Sequence, residues 1–85
     1  MKAKVPQKII NRNRRVIGDW LMRMRTEKGY NQQEFADLTG LNRPTISKIE
    51  RGKWGIGVDY ISVYAHHLKF DLEKFFKNIK ESENL

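Results

Sequence analysis

Residues 31–53 read NQQEFADLTGLNRPTISKIERGK and predict two short helices joined by a tight turn. Asn31 can cap the first helix, and Glu34 stands three residues later, which is the spacing of a capping box. Gly40 suits the left-handed position that ends a helix, and Asn42 can cap the next one. Pro44 then falls in a first helical turn, where its missing N–H leaves no hydrogen bond unmade.

Two short helices around such a turn form a helix-turn-helix unit, whose second helix has the size to enter a DNA major groove. Ile46 and Ile49 give that second helix an apolar side. Arg43, Ser47 and Lys48 project from other sides and are available to a partner. The stretch therefore predicts a polar, basic surface on a short helix.

The sequence resembles the phage-repressor and Cro-type helix-turn-helix family over roughly residues 16–70. The resemblance is carried by Gln32 and Ala36 of the QxxFA motif, by Gly40, by the PTISKIE run and by the Arg-Gly pair that follows it. It implies an all-α fold, a five-helix lambda-repressor-like DNA-binding domain. It also implies sequence-specific binding of double-stranded DNA.

Polar caps and apolar repeats predict three further helices, at residues 11–28 (or from residue 13), at 60–68 after Asp59 and at 72–80 after Asp71. The helical domain is then residues 11–80. Residues 1–10 are predicted to be a flexible basic arm, and residues 81–85 a tail. The arm is either a solvated segment or one that touches phosphates or a minor groove.

Several side chains are predicted to be structural rather than DNA-binding. Arg25 lies beside the apolar stripe of the first helix, where a charge needs a partner. The resemblance implies an ion pair between Arg25 and Glu50, the alternative being a surface arginine. Trp54 is predicted to cover the core, the alternative being an aromatic that faces DNA. In the fifth helix Phe75 and Phe76 either both close the core, or one of them is shared with a second subunit.

The positive charge is concentrated in the first part of the chain. The net charge is +7, but residues 1–53 hold 13 basic and five acidic residues, against four and five in residues 54–85. Such a field attracts a polyanion, although by itself it does not separate DNA from RNA or an anionic membrane.

Composition argues against other classes of protein. The chain has no cysteine, which excludes disulfides and thiolate metal sites and predicts a cytoplasmic protein. No segment has the length or apolarity of a signal peptide or membrane span. His66 and His67 are adjacent and so cannot chelate one metal from a helix. We expect no metal, cofactor, small-molecule effector or catalytic site.

The resemblance implies two sets of DNA contacts. For phosphates the resemblance itself implies a contact from Gln32, and we expect further phosphate contacts from Asn31, Thr45, Arg51 and Lys53. Base contacts are expected from Asn42, Arg43, Pro44, Ser47 and Lys48. Geometry favours Arg43 as a reader, because a guanidinium can donate two hydrogen bonds to one guanine. Pro44 can offer only apolar contact.

These observations predict a transcriptional regulator, a repressor that binds a two-fold operator as a homodimer. The alternative is a helical module of the antitoxin or adaptor kind that acts mainly through protein–protein contacts. The fold alone does not separate the two.

Overall fold

The computed structural model describes residues 4–83, which form five α-helices and no strand. The helices are α1 (Gln7–Glu27), α2 (Gln32–Thr39), α3 (Arg43–Glu50), α4 (Val58–Leu68) and α5 (Leu72–Glu83). The predicted all-α, five-helix fold is confirmed. Within residues 4–83, no helix combines the length and the apolarity needed to cross a bilayer.

A single apolar cluster joins the five helices. Its fully enclosed side chains are Leu21, Phe35, Ile46, Ile49, Tyr64 and Leu68, and α5 adds Phe75 and Ile79. The rings of Phe35 and Tyr64 lie 4.7 Å apart at the centre. Burying each large apolar side chain contributes about 1.5–3 kcal/mol to folding. The core therefore fixes α2 and α3 against α1 and α4.

Local hydrogen bonds set the bounds of α2 and α3 where the sequence predicted them. Asn31 Oδ1 accepts from the Glu34 backbone N–H at 2.7 Å, and Glu34 Oε1 accepts from the Asn31 N–H at 2.9 Å. Gly40 has a φ of 81° and ends α2. Asn42 Oδ1 accepts from the Thr45 N–H at 2.8 Å and caps α3. The predicted capping box and second cap are confirmed.

The first helix begins earlier than predicted. Pro6 accepts hydrogen bonds from the N–H groups of Ile9 and Ile10, so the helix starts at Gln7. The prediction of a flexible arm is therefore wrong for residues 7–10, because a proline fits before the first helical turn and Ile10 lines an apolar hollow with Ile56. The part of the predicted arm in residues 1–3 lies outside the described residues.

The later helices also differ at their ends. Gly57 is the N-cap of α4, and Asp59 falls inside the first turn, so the predicted Asp59 cap is wrong. Asp71 Oδ1 accepts from the Lys74 N–H at 3.1 Å, which confirms the cap of α5. That helix continues through residues 81–83 of the predicted tail, and residues 84–85 lie outside the described part.

The two phenylalanines of α5 have different environments. Phe75 is buried in the core, stacked 5.1 Å from Phe70, whereas Phe76 is 45% exposed. The two therefore do not both close the core. They are adjacent on a helix and so point in directions about 100° apart.

Gly18 allows α1 to lie directly against the end of α3. A Cβ atom at this buried position would overlap the carbonyl oxygen of Ile49 and would lie 3.0 Å from that of Glu50. Because glycine has no side chain, the two backbones can touch. This contact helps to set the angle at which α3 leaves the core.

The Gly18→Ala variant should be less stable than the parent by about 1–3 kcal/mol, because the added methyl group must push α1 and α3 apart. Alanine is the better helix former by about 1 kcal/mol, so propensity alone gives the opposite sign. Urea denaturation followed by circular dichroism measures the difference.

The control for that prediction is Gly55→Ala. A Cβ atom at Gly55 meets only the guanidinium group of Arg14, whose nearest atom, Nη2, lies at an ordinary contact distance of 3.4 Å. We expect a change within about 0.5 kcal/mol there. If Gly18→Ala proves as stable as Gly55→Ala, the close approach of the two helices is wrong.

Candidate nucleic-acid interface

A buried ion pair lies beneath the surface of α3. Arg25 of α1 donates from Nε to Glu50 Oε2 at 2.8 Å and from Nη2 to Glu50 Oε1 at 2.7 Å. Both residues are buried, with 5% and 6% of their surface exposed. This is the pair that the family resemblance implied, in the two-bond geometry that makes arginine–carboxylate pairs strong and directional.

Two other helices also bond to the Glu50 carboxylate. The hydroxyl of Tyr64 in α4 donates to Oε2 at 2.7 Å, and Gln32 Nε2 in α2 donates to Oε1 at 3.3 Å. Arg25 Nη1 donates to the carbonyl oxygen of Tyr30 at 2.7 Å. Among the described residues, no buried side-chain polar atom lacks a hydrogen-bond partner. The last residue of α3 is thus bonded to α1, α2 and α4.

Tyr64 is a residue of this network that the sequence patterns did not single out. A signal was available, because Tyr64 follows Ile61 by three residues and precedes Leu68 by four, which puts all three on one helix face. Burial, reinforced by the charge and the hydrogen bond of Glu50, raises the pKa of the Tyr64 phenol. The hydrogen bond with Glu50 raises the pKa of Arg25. The tyrosine thus stays a neutral donor and the arginine stays charged.

The remaining surface of α3 is open to solvent. Asn42, Arg43, Pro44 and Lys48 are exposed, and Ser47 is half-buried. Arg43, Pro44, Ser47 and Lys48 line one shallow hollow of about 420 Å³, together with Gln32 of α2 and Arg51 after α3. Asn42 does not line it, and its Oδ1 accepts the capping hydrogen bond of α3. Four of the five predicted base-reading residues therefore share one surface with two predicted phosphate-binding residues.

The remaining predicted phosphate-binding residues lie at three places. Asn31 is exposed at the start of α2, with its Oδ1 used in the capping box. Thr45 is half-buried in the first turn of α3. Lys53 is exposed just after α3 and borders a second hollow, which it shares with Arg51. The structure thus places Lys53 outside the hollow lined by Arg43 and Lys48.

The comparison with known families matches this architecture. The sequence model described as Helix-turn-helix matches residues 21–75, which contain α2, α3 and α4 in full. The chain belongs to the Cro/CI-type helix-turn-helix family. The predicted family resemblance is confirmed.

A relative of this chain belongs to the same class of protein. The SPbeta prophage-derived uncharacterized HTH-type transcriptional regulator YonR of Bacillus subtilis (strain 168) is 30% identical over 77 residues. The alignment covers 74% of this chain and 70% of that relative.

One aromatic of this helix-turn-helix protein departs from its prediction. Trp54 is 40% exposed and is not part of the core, so the expectation that it covers the core is wrong. Its ring lies 5.7 Å from that of Tyr60, and Lys48 Nζ lies 5.8 Å from its centroid. Gly52, with a φ of 68°, turns the chain at the end of α3 and starts the loop that carries Trp54 along the surface. Trp54 thereby contacts the predicted reader Lys48 through a cation–π interaction.

The Tyr64→Phe variant should lose about 1–3 kcal/mol of stability at neutral pH, because Glu50 loses a buried donor. The pKa of Tyr64 is higher in the folded protein than its ordinary value of about 10. Above that value the unfolded chain ionises first, so the stability that the hydroxyl contributes is lost as the pH rises. The difference in the free energy of unfolding between the parent and Tyr64→Phe should therefore become smaller as the pH rises from about 9 to about 11. Urea denaturation at each pH measures it.

Tyr60→Phe is the matched control. The Tyr60 hydroxyl makes no hydrogen bond within residues 4–83, and the side chain is half-buried. Its loss should cost no more than about 0.5 kcal/mol. Equal effects of the two substitutions would show that the Tyr64–Glu50 bond contributes nothing specific.

Proposed function

We propose that this protein is a sequence-specific regulator of transcription that binds double-stranded DNA and reads its major groove with α3. The observation that supports this most directly is the exposed face of α3 that bears Arg43, Ser47 and Lys48. The buried Arg25–Glu50 pair closes the helix that carries this face. The helix-turn-helix family and the name of the relative point to the same class of function.

Base reading is assigned to the N-terminal part of α3. In the major groove each base pair shows a distinct pattern of donors and acceptors. Arg43 can donate two hydrogen bonds to guanine O6 and N7, and Lys48 and Ser47 can reach neighbouring base edges. Pro44 offers apolar contact to a thymine methyl group. Asn42 can use its amide N–H groups, since only its oxygen is engaged in the cap.

Positioning on the backbone is assigned to Asn31, Gln32, Thr45, Arg51 and Lys53. Gln32 opens α2, where free backbone N–H groups and the helix dipole favour a phosphate. Such contacts fix the register of a protein on DNA without reading sequence. Arg43, Lys48, Arg51 and Lys53 make no ion pair within residues 4–83, so their charges are available to phosphates and bases.

We further propose that the protein acts as a cytoplasmic homodimer and a repressor. One α3 helix contacts only a few base pairs, so two copies on a two-fold operator give a longer site. The half-sites should lie about 34–36 Å apart along one DNA face. We propose neither enzymatic activity nor a small-molecule effector.

A second candidate function is favoured by the surface around Phe76. This exposed ring borders an apolar hollow with Val16, Ile17 and Ile79, a surface suited to protein contact. A module of the antitoxin or adaptor kind could use it. The two functions differ in their salt dependence, because phosphate-driven binding to random duplex DNA falls steeply as salt rises.

Selection of bound sites from a random duplex pool gives the operator. On that site, Arg43→Ala should weaken binding by about 1–3 kcal/mol and relax the preference at one base pair, because a bidentate contact to guanine is lost. Fluorescence anisotropy against all single-base variants measures both effects. An equal loss on every sequence would remove Arg43 as a reader.

Lys53→Ala should behave differently. It should weaken binding to all sequences alike and lower the slope of log K against log salt by about one, because a phosphate contact is lost. Lys77→Ala is the control, since Lys77 is an exposed lysine of α5 that borders neither hollow. A base-specific effect of Lys53→Ala, or the same slope as Lys77→Ala, would contradict its assignment.

A further inference from the structure

We infer that α1 supplies a second anchor for the DNA backbone, through a basic notch between its first half and the turn after α3. This inference rests on the proposed function and adds to it a phosphate site that the family resemblance does not supply. The notch has a volume of about 220 Å³ and is lined by Asn11, Arg14, Arg15, Arg51, Gly52 and Lys53.

The notch exists because α1 touches the turn at Gly52. A Cβ atom at Gly52 would lie 2.8 Å from Cα and Cγ of Arg15 and 2.9 Å from its backbone nitrogen. The residue also has a φ of 68°, a region that glycine enters without strain. Gly52 therefore brings the α1 backbone against the chain between Arg51 and Lys53. Arg14 Nη2 lies near the same loop, 3.4 Å from where a Cβ atom of Gly55 would be.

The chemistry of the lining fits a phosphate group. Four cationic side chains and one amide surround the space, and no acidic residue lines it. None of the four cations forms an ion pair within residues 4–83. Arginine presents a planar fork of N–H donors that matches two phosphate oxygens. Bringing four like charges together is unfavourable until an anion neutralises them.

The position of the notch indicates a phosphate of the same duplex. Arg51 lines both this notch and the hollow that holds Arg43 and Lys48, so the two surfaces are continuous. A duplex read by α3 would bring a sugar-phosphate ridge across Arg51. A phosphodiester there can accept from Arg14 and Arg15 while α3 remains in the groove.

Two of the four cations of the notch lie outside the segment that matches the family. Arg14 and Arg15 precede residues 21–75, the segment that matches the family. They lie beside the turn after α3 because α1 begins at Gln7 and runs as one helix to Glu27. The positive charges of the N-terminal region thus form part of a fixed helical surface, in addition to any long-range attraction that they exert on DNA.

The test combines protein variants with neutral phosphates in the DNA. The double variant Arg14→Gln/Arg15→Gln removes two charges but keeps the Cβ and Cγ atoms that pack near Gly52 and a good helix-forming residue. The control Lys77→Gln/Lys80→Gln removes two charges from exposed positions of α5. Circular dichroism and thermal denaturation confirm that all proteins fold. Duplexes of the selected sequence carry a single methylphosphonate at each position in turn.

The expected result has two parts. The double variant should bind every duplex about five- to tenfold more weakly at about 0.1 M salt and should lower the salt slope by about 0.9, as for one lost phosphate. Its base preference should be that of the parent. A methylphosphonate at a backbone position flanking the bases that α3 reads should weaken DNA binding by the parent protein. The same methylphosphonate should leave DNA binding by the double variant unchanged.

The opposite results overturn the inference. A double variant with the affinity and slope of the α5 control, or with the parent's sensitivity at every methylphosphonate position, shows that the notch holds no backbone phosphate. The proposed function fails on a different observation, namely a parent protein that binds duplex DNA without sequence preference or not at all.

Discussion

The carboxylate of Glu50 is the point on which the arrangement of this protein depends. It closes α3 and is bonded to Arg25, Tyr64 and Gln32, one residue from each of three other helices. Moving a charge pair into the interior costs several kcal/mol per ion, and well-packed apolar residues are often as stabilising. What this pair contributes is a fixed orientation of α3. Its bonds tolerate little rotation of α3, whereas an apolar contact would permit more.

Because α3 is held in one orientation, part of its surface packs in the core and part of it is exposed to solvent. Ile46, Ile49 and Glu50 are buried, while Arg43 and Lys48 are exposed to solvent. With 3.6 residues per turn, a rotation of one residue would turn cations into the core and apolar side chains into water. The Glu50 bonds and the contact of Gly18 with the α3 backbone therefore protect the same orientation. Trp54 then lies against Lys48 at the edge of the exposed face.

Some of this structure could be predicted because its causes are local. The caps at Asn31 and Asn42 join groups three residues apart, and Gly40 ends α2 through its own backbone angle. The start of α1 could not be predicted in this way. The Pro6 carbonyl can accept its two hydrogen bonds only once the helix has formed. Ile10 lies near Ile56, which is distant from it in the sequence. Gly57 likewise replaces the expected Asp59 as the cap of α4.

The sequence by itself determined the helix-turn-helix unit, the family and, through the resemblance, the Arg25–Glu50 pair. The tertiary structure decided that Tyr64 joins this pair and that Trp54 and Phe76 are exposed. It also decided that Arg14 and Arg15 line the same notch as Lys53. The physical reason is distance along the chain. Capping and turn preferences act within four or five residues, but these features arise only when separate helices pack together, including α1 across the end of α3. That approach depends on the absence of a side chain at Gly18 and Gly52.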